Sequence, residues 1–247
     1  MRWIRCSGAV WLAVPLLVAA QTQPAARATA PQTQALPAPS AVAVPPPAAA
    51  RFQVLIDAAH GGTDTGAHLT PELEEKALTL NLSNQLRALL AARGIAVTTT
   101  RSNDENLSPD ERAAIANRTP FAACILIHAT ATGSGVHLYA SSLAATPLVT
   151  FMPWHTVQSG YVTQSLKVSS DIDSALAQAS IPVTLGRTSL QPLNSFACPA
   201  VAVEIAPLQA GSTSKAKAIT DEGYQQTILN ALATALEEWR SEWRQKP

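Results

Sequence analysis

From Phe52 onward, short runs that are apolar on consecutive residues alternate with longer stretches that are apolar every three or four. The first kind comprises Phe52 to Asp57, Ile95 to Thr100, Ala122 to His128, Val136 to Ala140 and Ala200 to Ile205. These suit strands covered on both faces, because a strand with one wet face alternates instead. The second kind predicts helices. Leu78, Leu82, Leu86 and Leu89 form one stripe, Thr70 and Pro71 offer a cap and a first turn, and Gly94 closes the segment, so a helix is expected over Pro71 to Arg93. Ser108-Pro109-Asp110-Glu111 reads as a capping box and predicts a short helix ending near Arg118. A third helix falls within Tyr161 to Ala179, and a last runs from about Asp221 to Trp243 on the spacing of Leu229, Leu232 and Leu236. Strands and helices in alternation predict an α/β fold: a central, mostly parallel sheet flanked by helices, forming one domain over residues 51–247.

The pattern is absent from the first fifty residues. Arg2 and Arg5 precede an apolar run from Ala9 to Ala20 that is short for a membrane span and ends on the small residues Ala19 and Ala20, so residues 1–20 read as a secretory signal peptide. Its removal leaves no stable membrane span expected. Residues 21–50 hold seven prolines, eleven alanines and one charge, Arg27, and predict a semi-extended linker with no core of its own. Export places the domain in the periplasm or outside the cell. Cys124 and Cys198 would there meet an oxidising environment, where pairing and two buried free thiols are both open readings. With 17 basic against 17 acidic side chains the chain has no charge excess to attract nucleic acid.

Polar groups stand where packing would not put them. His60 follows an apolar run and precedes Gly61-Gly62, His128 closes Cys124-Ile125-Leu126-Ile127, and Glu204 interrupts Ala200 to Ile205. A lone carboxylate in such a run costs several kcal/mol unless a cation or hydrogen bonds meet it. All three stand at the carboxyl ends of strands, where open α/β sheets bind ligands. Glu75 lies one turn into the first helix on the stripe of Leu78 and Leu82, so it points inward; Glu74 lies on a less apolar face and is its rival. Two imidazoles and one carboxylate make the ligand set of a catalytic zinc with its fourth position open. His60, Glu75 and His128 are the candidate ligands and Glu204 the candidate base. His68, His137 and His155 read as structural or surface residues.

These residues sit in stretches that resemble a known family. Val54 to Gly62 with Asp64 and Gly66-Ala67, Glu75-Lys76, Thr100-Arg101, Glu111-Arg112, Ile127-His128-Ala129, Gly135-Val136 and Val203-Glu204-Ile205 are similar, in order, to the zinc-dependent N-acetylmuramoyl-L-alanine amidases of the amidase-3 type, which are cell-wall hydrolases. The resemblance implies zinc (Zn2+) on His60, Glu75 and His128, catalysis by Glu204, peptidoglycan as substrate and, in some members, an activator protein or a helix that blocks the site. It settles Glu75 over Glu74. Three departures accompany it: Ala59 where glycine is usual, Thr130 where asparagine is usual, and Ala206-Pro207-Leu208-Gln209 in place of a Gly-Phe-Leu-Ser-Asn run. They motivate one rival expectation, a peptidoglycan-binding module with weak catalysis; a second, a zinc peptidase cutting within the stem peptide, follows from His/Glu/His ligation being shared by unrelated enzymes.

Overall fold

The computed structural model describes residues 51–149, 151–211 and 215–244. The expected signal peptide and linker lie outside them. Among the described residues no helix is long and apolar enough to cross a membrane.

The strands are β1 (Gln53–Ala58), β2 (His68–Thr70), β3 (Leu73–Glu74), β4 (Ala96–Thr99), β5 (Ala123–Ala129), β6 (Val136–Ser141), β7 (Val183–Thr188) and β8 (Ala200–Ile205). The α-helices are α1 (Glu75–Ala92), α2 (Pro109–Ala116), α3 (Val162–Gln178) and α4 (Glu222–Arg244). Six strands form one sheet in the order β4-β1-β5-β8-β6-β7, and β2 pairs with β3 in a small hairpin. Every neighbouring pair in the large sheet is parallel except β6 with β8.

The consecutive apolar residues of the strands divide between two cores by simple alternation. Val54, Ile56, Ile125, Ile127, Val201 and Val203 face the layer of α1, α3 and α4. Leu55, Cys124, Leu126, Ala200 and Ala202 face the opposite side, covered by α2 and the Leu193–Ser195 turn with Phe121 and Phe196. Cys124 and Cys198 are joined in a disulfide, their Cα atoms 6.1 Å apart. The capping box on α2 is present as expected, with the Glu111 amide donating to Ser108 Oγ and the Ser108 amide donating to Glu111 Oε2. α3 buries Val162, Val168, Ile172 and Leu176 and packs against α4, β6 and β8. Tyr224, in the first turn of α4, donates to the carbonyls of Ala206 at 2.9 Å and Gly135 at 3.2 Å, fastening the end of β8 to the residue before β6.

The structure differs from the sequence pattern in two places. The first helix starts at Glu75 rather than Pro71, because Pro71 and Glu72 form the turn of the β2–β3 hairpin, and Thr70 Oγ1 accepts from the Glu72 amide instead of capping a helix. The first amides of α1 go elsewhere: Glu75 donates to the Ala67 carbonyl and Lys76 to that of Thr65. β7 was not expected. It is a sheet edge whose residues are all exposed or half-buried, so it lacks the apolar run by which its neighbours are recognised.

Candidate metal centre and its surroundings

His60 stands just past β1 in the left-handed region, φ 60°, a conformation that costs a non-glycine residue on the order of 1 kcal/mol or more. The backbone beneath it is held by two buried guanidiniums. Arg112 donates to the carbonyls of Ala58 at 2.7 Å and His60 at 2.6 Å, and to Asp57 Oδ1 at 2.7 Å. Arg101 donates to the carbonyls of Ala58, Ala59 and Lys76, with Thr79 Oγ1 adding a further bond to Ala59. Ala59 does not itself have a positive φ, so a methyl group where glycine is usual brings no backbone strain.

The three expected ligands come together. Their donor atoms all lie within 4.8 Å of one another. His60 Nε2 is 3.1 Å from Glu75 Oε2, and His128 Nδ1 is 3.2 Å from Glu75 Oε1. Each Glu75 oxygen also accepts one backbone hydrogen bond at 3.0 Å, from Ala67 and from Ala129. Burial works against the charged form, yet the hydrogen bonds from His128, His60, Ala67 and Ala129 outweigh it and hold Glu75 well below the usual carboxylate range. His60 is shifted upward, first by its bond to Glu75, against an opposing effect of burial, and then by Asp64, whose Oδ2 lies 2.9 Å from His60 Nδ1. Asp64 fixes which ring nitrogen is turned to the cluster, a common partner arrangement for metal-binding histidines.

Gly66, at φ 65°, passes so close that a β-carbon there would sit 2.6 Å from His60 Cδ2 and 2.7 Å from Glu75 Oε2. The backbone thus forms one wall of the cluster. Two imidazole nitrogens and an ionised carboxylate, clustered and individually oriented, fit a divalent metal such as zinc.

Glu204 lies on β8 in register with His128 on β5 and, on its other side, with His137 on β6. By alternation His128, Glu204 and His137 share the face of Leu126, Ala202 and Tyr139, forming a row across three strands. His137 Nδ1 is 2.7 Å from Glu204 Oε2. His137, expected to be structural or surface, is partly buried and is the bonded neighbour of the candidate base, a contact not foreseen from sequence. Sequence reasoning missed it because the signal is a cross-strand pairing, which needs β6 to be assigned antiparallel to β8. His68 and His155 do lie on the surface, His155 stacked on Trp154. Glu74 takes no part in the cluster and sits 3.6 Å from Lys76 Nζ. Thr130 Oγ1 accepts from the Thr132 amide, while Gln209 clasps the same loop by bonds to Ser134 Oγ and the Gly133 carbonyl.

Taken together, a mostly parallel sheet with a two-histidine, one-carboxylate cluster at its strand ends defines an α/β domain with a site able to hold a metal ion. A family model described as N-acetylmuramoyl-L-alanine amidase matches residues 54–238, and the chain belongs to that family of peptidoglycan amidases. Solved structures agree in fold. An N-acetylmuramoyl-L-alanine amidase from Clostridium difficile 630 is 20% identical with a TM-score of 0.61, over 77% of this chain and 97% of that one. The amidase Ami1 of Mycobacterium smegmatis is 20% identical with a TM-score of 0.60, over 78% and 98%. The CwlD amidase of Clostridioides difficile, solved in complex with the GerS lipoprotein, is 19% identical with a TM-score of 0.58, over 77% and 99%. No curated protein matches the chain.

Proposed function

We propose that the protein hydrolyses the amide between N-acetylmuramic acid and L-alanine of peptidoglycan with a zinc ion held by His60, Glu75 and His128 and with Glu204 as general base and acid. The observation that carries this reading is the convergence of the three donor atoms beside a carboxylate in register with one of them. Two histidines and one carboxylate are the protein donor set of catalytic zinc sites, and these three residues would hold the ion here. When bound, zinc supplies Lewis acidity toward the scissile carbonyl and makes water a better nucleophile near neutral pH.

The chain's own residues do the rest. Asp64 keeps His60 turned inward, and the amides of Ala67 and Ala129 keep the Glu75 carboxylate from rotating. Glu204 takes a proton from the attacking water and delivers it to the departing nitrogen of L-alanine. The side chains of His60, His128 and Glu204 are 23%, 20% and 31% exposed, so the site opens on the surface and admits a polymer.

Peptidoglycan lies outside the cytoplasmic membrane, so this reading places the enzyme in the periplasm or outside the cell, exported by residues 1–20 and given reach by residues 21–50. Beyond peptidoglycan, an accessory activator protein is the partner it suggests, by analogy with the lipoprotein on CwlD.

The test is mass analysis of soluble products from purified peptidoglycan, with zinc supplied and with zinc chelated. Free stem peptides with an exposed L-alanine amine, released only with zinc, are expected. Shortened peptides still attached to muramic acid would refute the bond assignment in favour of a peptidase. Binding without products would favour a non-catalytic module.

A further inference from the structure

The contact between His137 and Glu204 is more specific than a chance pairing on a sheet rim. Glu204 Oε2 lies 2.7 Å from His137 Nδ1, and the two residues are direct partners in the antiparallel β6–β8 register. For Glu204 to act as a base its carboxylate must be the acceptor in this contact, which makes Nδ1 the donor. The imidazole is itself confined. Gly133, at φ 89°, lies against its far edge, where a β-carbon would stand 2.5 Å from Cε1 and 2.8 Å from Nε2. Gln209 Nε2 in turn holds the Gly133 carbonyl at 3.1 Å, and the Gln209 amide holds Ser134 Oγ at 3.0 Å. On the strand itself, the Tyr139 ring meets the imidazole edge to face, with centroids 6.5 Å apart. The side chain of His137 is 15% exposed, against 31% for Glu204. The chain thus clamps a half-buried imidazole whose one evident use is to grip one oxygen of Glu204, leaving the other free to exchange a proton with water.

We propose that His137 is a positioning residue for Glu204: its Nδ1–H fixes the carboxylate in the orientation that proton transfer requires, and the loop at Gly133 and Ser134, tied down by Gln209, holds the imidazole in place. The proposal rests on the reading of Glu204 as the base. A general base must lie within hydrogen-bond reach of the proton it takes, and a displacement of about 1 Å costs on the order of 100-fold in rate. A glutamate on a strand at the open rim has rotamers that miss this geometry. The bond to His137 removes them before substrate arrives.

Two measurements on the full zinc-loaded chain test it. Nitrogen-15 spectra of the His137 ring should show the Nδ1–H tautomer in the wild type and a switch to Nε2–H in Glu204→Ala. In turnover, His137→Ala should lower kcat by about 100-fold while KM, zinc content and thermal stability change little. His137→Asn, whose amide nitrogen stands near the place of Nδ1, should recover most of the loss. A role confined to holding the strands together would lower stability in both variants and leave kcat alone.

An Nε2–H tautomer in the wild type, an unchanged kcat in His137→Ala, or an Asn variant no better than Ala would each overturn the proposal. If Glu204→Gln abolishes turnover and His137→Ala does not, positioning is refuted and the amidase reading stands. If the wild type releases no stem peptide, both fall. Should His137→Ala fail to fold, the tautomer and the Asn variant still decide.

Discussion

Arg112 on α2 and Asp57 at the end of β1 form a buried ion pair with a 2.7 Å contact, and the same guanidinium donates to the carbonyl of the candidate metal ligand His60. The Asp57 side chain is 1% exposed, and its Oδ1 also accepts from Thr100 Oγ1 at 2.6 Å. Removing the cation strands a carboxylate in the core. Arg112→Met is therefore expected to lower unfolding free energy by about 3–5 kcal/mol. Urea denaturation of the metal-free protein measures this, and adding Asp57→Asn should recover part of the loss. Equal stability of the wild type and Arg112→Met would show that the pair does not hold the loop.

Gly66 borders the cluster more closely than any side chain allows. Gly66→Ala brings a methyl group within 2.7 Å of Glu75 Oε2 in a backbone region that alanine disfavours, so His60 and Glu75 must part. Zinc affinity should fall at least about tenfold, following the cost of a misplaced ligand. Calorimetric titration checks it. An unaltered affinity would mean the ligands tolerate that shift.

Acid should release the metal early. In the metal-free protein the proton on His60 is held above the ordinary imidazole pKa of 6.5, chiefly by Glu75, against burial, with help from Asp64. A metal must displace that proton. Affinity should therefore be highest above the raised pKa and fall by up to about tenfold per pH unit below it. Titrations from about pH 8 down to about pH 6, in buffers of different ionisation enthalpy, should show proton uptake by buffer on binding. The same carboxylate affects folding with the opposite sign. Glu75 is depressed below 4.5, so its contribution to apo-protein stability is present above that value and fades as pH falls further.

Tyr224 makes an alkaline limit. Burial pushes its phenol from 10.0 up to about 12, and its hydroxyl donates to two carbonyls that reject a phenolate. A raised folded pKa means that the stabilisation is complete below the unfolded value and is lost as pH rises from 10.0 to about 12. That loss amounts to about 3 kcal/mol. Tyr224→Phe should be less stable at neutral pH by about 1 kcal/mol for its lost hydrogen bonding, and its stability should fall less steeply in alkali. Parallel curves for the two proteins would contradict the assignment.

Much of the candidate site was legible because polar groups gathered for ligation or catalysis leave marks that packing does not. His60 before two glycines, His128 ending an apolar run, Glu204 inside one and Glu75 on a leucine stripe are each out of place in a core. Chain order and strand-end position suffice to bring such residues together in a parallel sheet. His137 was opaque for the opposite reason. Flanked by Val136 and Leu138, it looks like the wet position of an ordinary alternating strand, and its partner is 67 residues away across an antiparallel join. β7 carries too little buried surface to be seen locally. Thr70-Pro71 carries a true turn signal, which a hairpin rather than a helix uses. The disulfide depends on three-dimensional proximity that spacing alone does not reveal.

That disulfide sets an order of events. Cys124 stands four residues before His128 and Cys198 six before Glu204, so the cross-link joins the roots of the two segments that carry a metal ligand and the proposed base. In the reducing cytosol the thiols stay apart, and the chain lacks a loop closure worth about 2–4 kcal/mol. The stapled enzyme is then completed only where oxidant is available. Under the proposed export, the enzyme reaches full robustness on the side of the membrane where the wall is found, and the compartment that makes it holds only its looser form.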